Sequence, residues 1–191
     1  MNDPWEVFSV WYAQAEADPE TEAEVVALAT ATKDGRPSVR MALYRGIREG
    51  GLSFFTNYES RKGRELAENP FAAMTFYWER LDKQVRIEGR VERLSAAESD
   101  AYFRARPRES QVAAIVSRQS EILIDEDAYL NAMDALDQAA KGQSLPRPEN
   151  WGGFKLLPSN FEFWLRGDYR RHHRTRYDKT DSGWSVSRLY P

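Results

Sequence analysis

The dipeptide Asp34-Gly35, set between two runs of β-formers in "EVVALATATKDGRPSVRMALYRG", constrains this chain most. Such a pair accepts the positive φ of a tight turn, and a tight turn joins strands that run antiparallel. The pattern recurs along the chain. "GLSFFTN" reads as a third strand, and "AAMTFYWE" and "QVRIEGRVERL" as a pair joined through "RLDK". "FKLLP", "FEFWLRG", "HRTRYDK" and "GWSVSRLY" return to strands near the C-terminus. A doubly wound parallel sheet would need alternating βαβ units, which are absent. The expectation is a mainly β fold of about seven strands, an antiparallel barrel with peripheral helices, in one domain over residues 1–191.

Helix signals lie between these groups. Asp3-Pro4 with Glu6 reads as an N-cap, a proline at N1 and a capping-box partner, opening a helix over roughly 4–17. "SAAESDAYFRARP" is a capped helix ended by Pro107, and "ESQVAAIVS" and "DEDAYLNAMDALDQAAK" are helical. "GQSLPRPENWGG" is a connector. Neither GxGxxG nor GxxxxGK[ST] occurs, so a phosphate ligand has to be held mainly by side-chain cations.

With 41% hydrophobic and 13% aromatic residues the chain is globular in composition. It has no cysteine, which excludes disulfides, thiolate nucleophiles and cysteine metal sites, and only His172 and His173, so no metal centre is expected. A net charge of −3 argues against nucleic-acid binding. "MNDPWEVF" lacks a basic region leading into an apolar run, and no segment approaches the length of a membrane span. A cytoplasmic protein with no membrane partner is expected. The basic residues nevertheless cluster at 61–64, 104–108 and 166–176, which suits a small anionic ligand.

Three clusters could carry chemistry. In "TNYESRKGRELAENP" Ser60 caps a helix that Asn69-Pro70 stops, yet its first turn holds Arg61, Lys62 and Arg64. Cations oppose the positive end of a helix, so they are either solvated or facing a bound phosphate. In "AYFRARPRESQ" Tyr102 and Arg106 are four apart on one helix face, with Ser110 near the next helix start. They form either a second phosphate site or a core tyrosine beside a simple cap. In "YRRHHRTRY" an extended strand would put Arg170, His172 and Arg174 on one face and Arg171 and His173 on the other. That arrangement is either an anionic-substrate face or an exposed basic edge strand.

Taken in order, "SVRMALYRG", "FFTNYESRKGREL", "FYWERLDKQVRIEGRVERL", "YFRARPRESQ", "SRQSE", "WGGFKLLP", "FEFW", "RRHHR" and "SRLYP" resemble the pyridoxamine/pyridoxine 5'-phosphate oxidase family. The resemblance implies an antiparallel Greek-key split β-barrel and a homodimer with two FMN sites at the subunit interface. It implies that Arg61 and Lys62 hold the FMN phosphate, and that Arg40, Met41, Ala42, Leu43, Tyr44, Phe55 and Thr56 line the flavin. Gln84, Gln119, Ser120, Trp164 and Arg174 complete the cofactor set. Arg45, Tyr102, Arg106 and Ser110 would grip the substrate phosphate, and Arg170 and His172 would lie over the pyridine ring as the catalytic pair.

The implied reaction converts pyridoxamine or pyridoxine 5'-phosphate to pyridoxal 5'-phosphate, with molecular oxygen as acceptor. Some residues depart from the family pattern. Arg45 stands for a usual lysine, Ile115 for a tryptophan, Leu165-Arg166 for Gln-Gly, and Arg171 and His173 for leucine and aspartate. The basic N-terminal arm that the family often carries is expected to have no counterpart. The rival expectations are a sibling flavin oxidase acting on another aromatic acid, such as a phenazine precursor, and a non-catalytic flavin-binding protein.

Overall fold

A computed structural model describes residues 3–191; residues 1 and 2 of the expected domain lie outside it. The first hairpin forms as expected, with β1 (Val25–Ala31) paired antiparallel to β2 (Pro37–Leu43) and Gly35 in the turn at φ 85°. It is followed by β3 (Ile47–Arg48) and β4 (Gly51–Asn57). Next come α2 (Arg61–Glu68), β5 (Phe71–Trp78) and β6 (Lys83–Arg93). The chain ends with β7 (Trp151–Leu165), β8 (His173–Thr180) and β9 (Gly183–Leu189). Helix α1 (Pro4–Glu16) precedes the sheet, and α3 (Ala96–Ala105), α4 (Arg108–Val116) and α5 (Glu126–Ala139) separate β6 from β7.

The nine strands form one antiparallel sheet in the order β2-β1-β5-β6-β7-β4-β3, with β8 added on β7 and β9 on β8. Just past β2 the sheet curls shut: Arg45 N donates to Ser53 O at 2.8 Å and Ser53 N to Gly46 O at 2.9 Å. The architecture is a split barrel with peripheral helices. The nine strands among the described residues exceed the estimate of about seven: eight come from the runs quoted above and the ninth, β3, is too short to leave a sequence pattern. "FKLLP" and "FEFWL" are a single strand, because Pro158 sits at a bulge where β6 shifts register between Glu88 and Gly89. Only glycine fits opposite: a Cβ on Gly89 would lie 1.9 Å from Leu157 O.

Alternation along β5 turns Ala72, Met74, Phe76 and Trp78 inward, the period of two expected of a half-buried strand. They share a core cluster with Phe8 of α1, whose ring lies 5.2 Å from that of Phe76, and Phe76 also packs edge-on against Tyr44 at 5.5 Å. Asp3 starts α1 by accepting from Trp5 N at 3.0 Å. A second cluster of Phe103, Val112, Leu145 and Trp151 seats α3–α5 beside β4, with half-buried Ile115 packed against it. Among the described residues no helix is long and apolar enough to cross a membrane.

Candidate functional site

The end of β4, the start of α2 and the α3–α4 junction meet around a cleft of about 440 Å³. Its walls carry Met41, Ala42 and Leu43 from β2, then Arg45, then Phe55 and Thr56 from β4. Lys62, Tyr102, Arg106, Ser110, Gln119 and Trp151 complete it. Tyr102 and Arg106 therefore share a site, although Arg106 is the extended C-cap of α3 and not its last helical residue. A second cleft of about 400 Å³ shares Met41, Lys62 and Gln119 with the first and adds Arg40, Arg61 and Ser120.

Aromatic rings build the floor. Phe55 and Tyr102 stack at 3.8 Å with 15° between planes, Trp151 lies nearly parallel to both, and the Arg106 guanidinium sits 4.5 Å from the Trp151 ring centre. Arg106 Nη1 is buried with no hydrogen-bond partner among the described residues. Burial lowers its pKa, opposed by Tyr102 and reinforced by Arg45. Two guanidiniums that repel each other around an unpaired buried N–H make a site for an anion.

Ser60 caps α2 as the sequence predicts, accepting from Gly63 N at 3.3 Å. Lys62 is only 9% exposed, and its Nζ donates to two neutral hydroxyls, Thr56 Oγ1 at 3.2 Å and Ser60 Oγ at 3.3 Å. Burial, with Arg40 adding to it and Glu65 opposing, pulls the Lys62 amine down to about 8. Thr56 Oγ1 in turn donates to Gln119 Oε1 at 3.0 Å. Arg61 extends into solvent, and its Nε donates to Glu65 Oε1 at 2.9 Å. Arg64 turns away and donates to Glu59 O. The cationic turn thus divides: Arg61 and Lys62 face the clefts, while Arg64 serves the backbone. The donor set fits a phosphate, because a buried lysine held only by hydroxyls gains most from a bound dianion.

Two sequence expectations need correction. Tyr44 does not line either cleft; its ring is buried among Phe8, Tyr12 and Phe76, and burial raises its hydroxyl pKa. The run from Arg170 to Arg174 is not one extended strand. Residues Asp168–Arg170 form a turn in which Tyr169 and Arg170 have φ of 52° and 64°, and β8 begins only at His173. The turn brings the chain so close that glycine is required at 167, where a Cβ would lie 2.2 Å from Arg171 O. Face alternation therefore cannot sort Arg170, Arg171 and His172.

His172 is instead fixed by the turn. Its Nδ1 accepts from Gly167 N at 3.3 Å, which leaves the ring proton on Nε2, and the ring lies 4.6 Å from that of Trp164. Gln84, Trp164 and Arg174 are cross-strand neighbours on β6, β7 and β8. Arg174 is anchored by Glu162 at 2.7 Å, and Arg166 is turned to Asp82 at 3.0 Å. Gln84, Trp164, His172 and Arg174 gather at the far end of β7 from Trp151, roughly 40 Å along the strand at its usual rise per residue. The expected site is thus in two parts within one chain. Sequence reasoning missed Glu65 and Trp151; the spacing of Arg61 and Glu65, four apart on a helix, was the available signal for the first.

Comparison with known proteins places the chain in a family. The family described as "Pyridoxamine 5'-phosphate oxidase" matches residues 13–138, and the "Pyridoxine 5'-phosphate oxidase C-terminal dimerisation region" matches residues 151–191. A pyridoxine/pyridoxamine 5'-phosphate oxidase of Gluconobacter oxydans is 48% identical over 99% of this chain and 94% of its own. One from Burkholderia lata is 47% identical over 100% of this chain and 90% of its own. The crystal structure of PhzG from Burkholderia lata, in complex with tetrahydrophenazine-1-carboxylic acid, is similar with a TM-score of 0.95 and 34% identity, covering 100% of this chain and 94% of that one. Both regions and relatives near half identity lead to one conclusion: the chain belongs to the pyridoxamine 5'-phosphate oxidase family.

Proposed function

We propose that the protein is an FMN-dependent oxidase that converts pyridoxamine or pyridoxine 5'-phosphate to pyridoxal 5'-phosphate, with molecular oxygen as final acceptor. The observation that carries this reading is the pair of adjoining clefts, each lined by arginine or lysine and joined at Lys62 and Gln119. Two cationic ends suit two phosphates, one on the cofactor and one on the substrate.

Bound FMN would supply the two-electron acceptor. Arg40, Arg61 and Lys62 would hold its phosphate, with Gln119 and Ser120 donating around it and the Thr56 hydroxyl linking Lys62 to Gln119. Arg45, Tyr102, Arg106 and Ser110 would bind the substrate phosphate, and Phe55 offers the ring an apolar wall. His172, its Nδ1 already engaged by Gly167, presents Nε2–H to the pyridine end, and Arg170 beside it orients the substrate. These groups position and stabilise charge; none is required as a nucleophile.

The split of the site supports a homodimer. A single chain cannot bring Trp164 and Arg174 to Lys62 when β7 separates them, so one protomer supplies the cationic clefts and its partner the Gln84–Trp164–Arg174 end. The match of residues 151–191 to a dimerisation region agrees with this. The reading of the chain as one domain over 1–191 is supported by β7 of the second matched region, which is hydrogen-bonded between β4 and β6 of the first.

PhzG, the sibling bound to a phenazine acid, keeps a second reading open to test, but the named B6-phosphate oxidases share 47–48% identity against its 34%. Incubating the FMN-loaded protein under air with pyridoxine 5'-phosphate should yield pyridoxal 5'-phosphate and peroxide. Turnover of tetrahydrophenazine-1-carboxylic acid with no pyridoxal 5'-phosphate formed would favour the sibling. Bound flavin with neither substrate turned over would favour a binding protein.

A further inference from the structure

Glu65 is the carboxylate that, among the described residues, pairs with both arginines of the cationic wall. It is 5% exposed, and its two oxygens are divided between the two arginines of the phosphate cleft. Oε1 takes Arg61 Nε at 2.9 Å. Oε2 accepts from Thr30 Oγ1 at 2.5 Å and Ser38 Oγ at 2.7 Å, and Arg40 Nη2 lies 3.5 Å away. The two hydroxyls belong to residues directly opposite each other on β1 and β2, and each also accepts from Arg40, at 2.5 Å. The Arg40 guanidinium is therefore clamped to Glu65 through two hydroxyl bridges, and Arg61 is clamped to it directly.

We propose that Glu65 is the positioning residue of the phosphate cleft: it fixes Arg40 and Arg61 where a phosphomonoester dianion meets them. The inference rests on the phosphate reading of that cleft. Charge agrees with it. Three cations, Arg40, Arg61 and Lys62, against one carboxylate leave two net positive charges, which match a phosphomonoester of about −2 and leave a neutral ligand unattracted. Burial alone would raise the Glu65 carboxyl, but bonds from Thr30, Ser38 and Arg61 outweigh it and hold the group at about 2, so it stays ionised.

The test exploits the sign of the effect. If Glu65 acted only as a nearby negative charge, Glu65→Gln would tighten binding of an anion. A positioning role demands the reverse. The dissociation constants of FMN and riboflavin are measured on the apoprotein by quenching of flavin fluorescence. Wild type should prefer FMN, and Glu65→Gln should weaken FMN about tenfold while leaving riboflavin unchanged. In an Arg61→Ala background the same change should cost less, because part of its route is gone.

Unchanged or tighter FMN binding by Glu65→Gln, or an equal loss for both flavins, overturns the inference. Should that variant not fold, Ser38→Ala removes one bridge and keeps the charge. It should weaken FMN about threefold with riboflavin unaffected, and no change there also overturns the inference. A wild-type protein that binds both flavins equally defeats the phosphate reading itself, an outcome separate from failure of the Glu65 role.

Discussion

Lys62 Nζ lies 3.2 Å from Thr56 Oγ1 and 3.3 Å from Ser60 Oγ, a buried ammonium held by neutral oxygens alone. Its depressed pKa of about 8 makes a pH prediction. Below pH 8 the apoprotein carries the charged amine, and a dianion binds it directly. Above pH 8 the amine is neutral, and binding a phosphate must first take up a proton. FMN affinity should therefore fall as pH rises through about 8, by up to tenfold per pH unit. Riboflavin affinity should stay flat, and Lys62→Arg should remove the slope for FMN. Fluorescence titrations between pH 6.5 and 9.5, an interval of about 1.5 units either side of that pKa, check it.

The acid limb belongs to Glu65. Its folded pKa, about 2, lies below the ordinary carboxyl value, so its ionised form contributes stability that is fully present above the unfolded pKa. That contribution should be lost as pH falls from the usual carboxylate range toward about 2. Urea denaturation of the apoprotein across this window should show a steeper loss in wild type than in Glu65→Gln. Parallel pH profiles would mean that the carboxylate is not held as described.

Arg106 and Arg45 carry the substrate side. Arg106→Ala removes a guanidinium whose Nη1 has no hydrogen-bond partner among the described residues, so its loss breaks the packing on Trp151 but no hydrogen bond at that nitrogen. It should lower kcat/KM for pyridoxine 5'-phosphate about 100-fold, the scale of one charge-assisted bond to a phosphate, and leave bound FMN unchanged. An equal loss of flavin would put Arg106 on the cofactor instead.

The turn before β8 makes a paired prediction. His172→Ala should reduce kcat with flavin retained. Gly167→Ala, which drives a Cβ toward Arg171 O, should do the same by moving the His172 ring, although residue 167 itself need not touch the substrate. A silent Gly167→Ala would mean that the turn does not set the position of His172.

How much of this was legible depends on how local each signal is. Asp34-Gly35, Ser60 and Ser95 announce their turn and caps within a few residues, and those elements form where expected. Pro158 reads as a strand breaker, yet the Gly89 bulge across the sheet absorbs it and β7 runs on. The arginine-rich run 170–174 fits an extended period of two. The positive φ of Tyr169 and Arg170 and the close chain approach at Gly167 cannot be read from that period. Glu65 is only half legible: its spacing of four from Arg61 can be read, but its partners Thr30 and Ser38 become neighbours only when β1 pairs with β2. The division of the site between the two ends of β7 likewise appears only once the strand is seen whole.

That division is tested most directly by hybrid dimers. One variant carries Arg45→Ala and Arg106→Ala, the other Arg170→Ala and His172→Ala, so both keep the residues assigned to FMN and each lacks one half of the substrate site. Each alone should be nearly inactive toward pyridoxine 5'-phosphate. Unfolded and refolded together in equal amounts, half the dimers are hybrids and each hybrid holds one intact site, so about a quarter of wild-type activity should return. Recovery near that level is the result predicted by a site built from two protomers. A mixture no more active than its parents, with hybrid dimers verified to have formed, would contradict it.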